Sequence, residues 1–200
     1  MEPATFCRLR FTPVLATGVI LGLLREHFGN PQAITDPLLQ HYVWRSDDAT
    51  AIMIETCTND VLKQLQMRPA ILVKRNAIKP NREAIGDEIR SLGGETGKNY
   101  IVTLHGSHTI FCIAGKPNHA EGLANEAAMY LLQVAPCIRG NLNFKGDFML
   151  EEIGELGLVK GLGDQYVVPV TFSYVTDFAW TIAPDVPVLR RINVKLLLDP

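Results

Sequence analysis

The chain has 200 residues, 47% of them hydrophobic and 20% charged, values that suit one globular domain with a sizeable core. A formal net charge of −2 excludes a global basic footprint for nucleic acid, though not a local patch. Cys7, Cys57, Cys112 and Cys137 form no CxxC pair and are expected as isolated thiols in a reducing cytosol, a later disulfide within the chain or between subunits being the alternative.

The longest apolar run, Val14 to Leu24, has 11 residues, whereas a membrane-crossing helix needs about 20. Arg8 and Arg10 precede it as in a signal peptide, but no small-x-small cleavage pattern follows, so no signal is expected. Thr12-Pro13 reads as N-cap and first helical position, and Gly29 as the residue past the end. Gly18 and Gly22, four apart, weaken this helix and would let another backbone come close. After the loop 30–37, "LLQHYVW" (38–44) and "ATAIMIET" (49–56) read as a hairpin turning at Asp47-Asp48, and "RPAILVKR" (68–75) as a third strand. Asn81 is a possible cap for a short helix carrying Ile85, Ile89 and Leu92.

"NYIVTLHGSHTIFCIAG" (99–115) is either a hairpin turning at Gly106-Ser107 or one long bent strand. The helix 117–136 follows, with Ala120, Leu123, Ala124, Ala127, Leu131 and Val134 on one face, Glu121 and Asn125 away from it, and Pro136 as its end. Residues 148–159 and 166–182 read as strands. Tyr166, Val168, Val170, Phe172 and Tyr174 share one face of the second. Pro169 cannot donate to a ladder and marks that strand as a local edge. "RRINVKLLL" (190–198) alternates again, with Ile192, Val194 and Leu196 against Arg191, Asn193 and Lys195. Strands in runs favour α+β over a doubly wound sheet: one domain over 1–200, with an N-terminal helix and loop (1–35) and a core (36–200) of mixed, mostly antiparallel sheet carrying two main helices.

The candidate chemistry is thin. "SLGGETGKNY" (91–100) imitates a phosphate-binding loop, but Leu92 stands where the first glycine is needed and Asn99 where the magnesium-binding hydroxyl belongs. The order of elements is reversed as well, so a flexible connection is expected. His105 and His108 are too few for a zinc site and point to opposite faces of a continuous strand. Glu151, Glu152 and Glu155, with Asp147 and Asp164, form the one acidic concentration; no aromatic cleft surrounds them as glycosidase chemistry would need. Ser107 lacks the G-x-S-x-G elbow and an orienting acid. No catalytic residue, cofactor or metal is expected.

The C-terminal third carries a resemblance. Val168-Pro169-Val170, Tyr174, Trp180, Pro184, Pro187 and Leu189 to Ile192 follow one another as in the neck and tail-terminator proteins of tailed bacteriophages. "RPAILVKR", "GSHTIFCIAG", the Ala-rich helix and "IGELGLV" are also similar in order and spacing, over about residues 60 to 195. The resemblance implies a tail-terminator-like subunit that forms a ring, commonly a hexamer, capping the tail tube and docking on the head–tail connector. Contact with the tail sheath, in contractile tails, and weak non-specific contact with genome DNA are implied too. No catalysis and no membrane partner are implied, and the location is the virion after assembly in the host cytoplasm. The expected interface residues are Glu151, Glu152, Glu155 and Pro169, then Trp180, Arg190, Arg191 and Lys195. Other readings are a neck adaptor, connector-completion or baseplate protein, or a small hydrolase using His105/His108 or Glu151/Glu152.

Overall fold

The computed structural model describes residues 13–48, 51–58, 68–80, 98–142, 144–146, 148–159 and 165–182, with side chains for all of these but 13, 98–101 and 179–182. Helix α1 spans Pro13–Gly29. Ala16, Ile20, Leu24 and Phe28 recur every fourth residue and are all buried, the stripe an amphipathic helix turns towards a core. Val14, Gly18, Gly22 and Glu26 form the opposite, exposed stripe. The close backbone approach expected at the two glycines is absent among the described residues: a Cβ at Gly18 or Gly22 would meet nothing within 4 Å. Asn30 then caps a 3-10 turn, Pro31–Ala33, by accepting from the Gln32 amide.

The hairpin expected over 38–56 does not form. Residues 38–41 are turns; the Tyr42 amide donates to the Leu39 carbonyl, and the Trp44 amide reaches back to the Phe28 carbonyl at 2.9 Å. The β-prone aromatics here serve tertiary packing, Tyr42 and Trp44 lying partly buried against the core. Strand β1 (Met53–Thr56) instead pairs in parallel with β2 (Ala70–Arg75). Ala70, Ile71, Leu72 and Val73 of β2 are all buried, as where a strand is covered on both faces, whereas Lys74 and Arg75 are exposed.

The short β3 (Lys79–Pro80) and β2 both pair with β4, which runs unbroken over Lys98–Ala114. Of the two readings offered above, the long strand is correct. Gly106 does not turn the chain. It stands opposite Tyr174, whose ring lies against it so closely that a Cβ would sit 2.6 Å from Cζ. The second helix, α2, spans Pro117–Leu142 and does not stop at Pro136. Leu132 and Pro136 are exposed, so the carbonyl deprived of its donor faces water. Ile138 and Leu142, 1% and 3% exposed, hold the last turns on the core. Then come β5 (Met149–Ile153), β6 (Gly157–Leu158) and β7 (Tyr166–Ile182).

The strand order is β1-β2-β4-β7-β5, with β3 on β4 and β6 on β7. All pairs but β1–β2 are antiparallel, so the fold is α+β with a mixed, mostly antiparallel sheet. β4 and β7 stay in register from Lys98↔Ile182 to Ala114↔Tyr166. Their even-numbered residues, Ile110, Cys112, Val168, Val170 and Phe172 among them, pack with α1 and α2 in one main core. The opposite face has a smaller apolar cluster around Met53, Ala70, Leu72 and Ile113. It gives way to hydroxyls and amides at Asn76, Ser107, Thr109 and Thr171. A buried hydrogen bond ties the two helices together: His27 Nε2 donates to Glu126 Oε1 at 2.8 Å, the same oxygen accepts from the Thr35 amide at 3.0 Å, and Tyr130 stacks on the imidazole. Glu126 falls between the apolar positions of α2, so its burial has no signal in the helical pattern.

Candidate functional site

The two edges of the sheet are built differently. The Met53 amide donates to the Pro69 carbonyl just before β2, and the Cys57 amide just past β1 donates to the Val73 carbonyl, so the main-chain groups of Ile54 point outward, as alternation along a strand requires. That outward carbonyl is occupied. Arg25 of α1 donates to it through Nε and Nη2, at 3.1 and 2.9 Å, and pairs with Glu55 at 2.7 Å. The guanidinium also lies 5.3 Å over the Trp44 ring. A charged side chain laid across an edge in this way keeps other strands off it.

At the other end, β5 pairs with β7 and with no second strand among the described residues. Phe148 and Leu150 turn to the helix side, where Phe148 stacks on Phe172 at 4.8 Å and 6°. The register then slips: Leu150 faces Phe172 but Glu152 faces Thr171, which makes Glu151 the extra residue of a bulge. Past it the strand no longer alternates between core and solvent. Glu151, Glu152, Ile153, Glu155 and Leu156 are all exposed. Three acids thus share an edge with large apolar side chains, at 53% exposure for Met149, 43% for Ile153, 40% for Leu156 and 62% for Leu158.

Pro169 belongs to this edge indirectly. β7 is an interior strand, not an edge, and Pro169 pairs with Phe111 of β4. Its carbonyl accepts from the Gly154 amide at 2.7 Å, so the ring nitrogen also faces the β5 side. There β5 has ended and β6 has not begun, and the missing donor has no partner strand to fail. Gly154 is required at this bend, because a Cβ would come within 2.7 Å of the Pro169 ring. Trp180 pairs with Tyr100 through the main chain. Arg190, Arg191 and Lys195 lie outside the described residues, as do Asp147, Asp164, the 81–92 helix and the 91–97 part of the glycine-rich stretch.

The two histidines of β4 do not act together. His105 is exposed and borders an open depression of ≈ 600 Å³ on the outer face, with Asn76, Lys79, Ser107, Glu151 and Ser173 around it. His108 is fully buried on the helix side, with Nε2 at 2.9 Å from Thr17 Oγ1 and its ring stacked on Tyr174. Burial, with the Arg75 charge behind it, lowers its pKa to about 4. It is a neutral core imidazole. Burial likewise pushes the Cys112 thiol and the Tyr174 phenol up to about 12. Among the described residues no three His, Cys, Asp or Glu side chains converge on a metal-sized site. No described helix is long and apolar enough to cross a membrane.

The glutamates were visible in the sequence as an acidic concentration, but their apolar neighbours were not. Met149, Glu151 and Ile153 share one parity, so no alternation separates a core face from a surface face. The Arg25 clamp spans 29 residues to Ile54, beyond any local pattern. Comparison of the sequence with models of known protein families gives no match, and comparison with curated proteins gives none.

Proposed function

We propose that this chain is a structural subunit of a tailed-bacteriophage virion: a tail-terminator or neck protein that assembles as a ring. The ring, commonly of six copies, caps the tail tube and joins it to the head connector. Its partners are its own copies, the tube protein and the connector, with the last sheath ring added where the tail contracts. Genome DNA passing through the lumen is touched only non-specifically, and the subunit works without a cofactor.

The observation that carries this reading is the open edge at β5. An exposed strand that mixes large apolar side chains with carboxylates suits a surface joining protein to protein. The resemblance described above enters through β7, the strand that bears Val168-Pro169-Val170, Tyr174 and Trp180. Electron microscopy of the purified protein, alone and mixed with tail tubes, tests the proposal. Rings on the head-proximal end of the tube are expected. Binding elsewhere on the particle assigns a different virion role, and no association with tube or connector refutes the reading.

A further inference from the structure

We infer that the segment 190–198 of one copy adds as a strand to the β5 edge of the next. This rests on the reading that copies of the chain assemble, and it specifies how. Two observations lead to it.

The first is the asymmetry of the sheet. The β1 edge is closed by Arg25 on the Ile54 carbonyl; the β5 edge has no such guard among the described residues. A head-to-tail assembly needs one accepting edge per copy, and among the described residues β5, five residues long against two each for β3 and β6, offers the longest unguarded one.

The second is charge. Two β5 strands paired about a two-fold axis at the strand centre would set Glu151 against Glu151, with Glu152 close by on each side. Like charges directly opposite each other destabilise a strand pair. The edge therefore rejects its own image and calls for a basic, half-apolar strand. The sequence contains one. Arg190, Arg191 and Lys195 supply the cations, and Ile192, Val194 and Leu196 the apolar row. These complement Glu151, Glu152 and Glu155 together with Met149, Ile153 and Leu158.

Two charge-reversed proteins test this: Arg190→Glu/Arg191→Glu/Lys195→Glu and Glu151→Lys/Glu152→Lys/Glu155→Lys. Solution mass by light scattering, over a range of concentrations, is the readout. Circular dichroism and thermal unfolding check that each variant remains folded. Wild type is expected to self-associate, and each variant alone to associate about 100-fold more weakly or worse, since like charges then face each other. Mixing the two variants is expected to restore association, because each offers the strand the other accepts.

Recovery with all six changes in one chain but not on mixing would place the pairing within a chain and overturn the inference. Self-association untouched by either triple change would overturn it while leaving the ring reading standing. A wild type monomeric at every concentration would overturn it too; the tail-tube experiment then decides the ring reading separately.

Discussion

Replacing Gly106 by alanine places a methyl group against a ring that cannot withdraw. The new Cβ would lie 2.6, 2.7 and 2.7 Å from Cζ, Cε2 and Oη of Tyr174. Ordinary contact begins near 3.4 Å, so the ring must retreat by 3.4 − 2.6, about 0.8 Å. Behind it stands Phe144, stacked at 4.5 Å and 9°, and beside it His108 at 5.6 Å. Tyr174 is 2% exposed, which leaves no solvent side to move into. Overpacking of this kind costs about 1–3 kcal/mol, and the crowded surroundings argue for the upper half. With a urea slope of about 2 kcal/mol/M, the unfolding midpoint should drop by about 1 M. Gly115→Ala, which meets nothing within 4 Å, is the control and should shift little. In a Tyr174→Ala background the Gly106 change should become nearly neutral, since the clash is with the ring itself. A Gly106→Ala midpoint equal to wild type, or an undiminished effect without the ring, refutes the argument.

Stability should also fall in mild acid because of His108. Its folded pKa of about 4 lies below the ordinary 6.5, so between those values the unfolded chain takes up a proton that the folded one refuses. The contribution is complete above pH 6.5 and is lost as pH falls towards 4; urea midpoints at pH 7 and pH 5 for wild type and His108→Gln should show a flatter dependence in the variant. Thiol labelling of native protein should modify exposed Cys137 quickly and leave Cys112, buried with its pKa raised to about 12, untouched until unfolding; equal rates, read by mass spectrometry of peptides, would contradict the core placement. Gly22→Ala should stabilise the protein by about 0.5–1 kcal/mol, because helix propensity improves and the space is open. A lowered melting temperature would mean that something does pack there.

The elements legible in the sequence are those whose side-chain period coincides with a buried face. Ala120 to Leu131 in α2 and Val168 to Tyr174 in β7 are buried at the positions their spacing indicates. The reading fails where long-range contact overrides local preference. Tyr42 and Trp44 favour a strand, yet they are drawn to His119 and Arg25, far away in the chain. Pro136 reads as a stop, yet its exposed face lets water replace the lost bond while Ile138 and Leu142 hold the helix down. Gly106-Ser107 admits a turn or a strand; the Tyr174 ring, 68 residues on by 174 − 106, decides between them. The candidate edge was half legible. Charge shows in composition, whereas the slip at Glu151 that exposes the apolar side chains depends on pairing with β7.

The place of β7 in the sheet also shapes how the chain is made. It is the last described strand in the sequence, yet it stands between β4 and β5, and β5 and β6 have no other partner in the described sheet. While the ribosome is still adding residues before Tyr166, β4 lacks its longest neighbour and Ile110 and Cys112 lack the covering Val168 and Val170. Pairings this distant in sequence form slowly, and unfinished sheets expose apolar surface and unpaired edges to other nascent chains. The core therefore closes only once β7 has been made, from the middle of the sheet outward. Slowed elongation upstream of Tyr166 lengthens the period in which the chain is prone to aggregate.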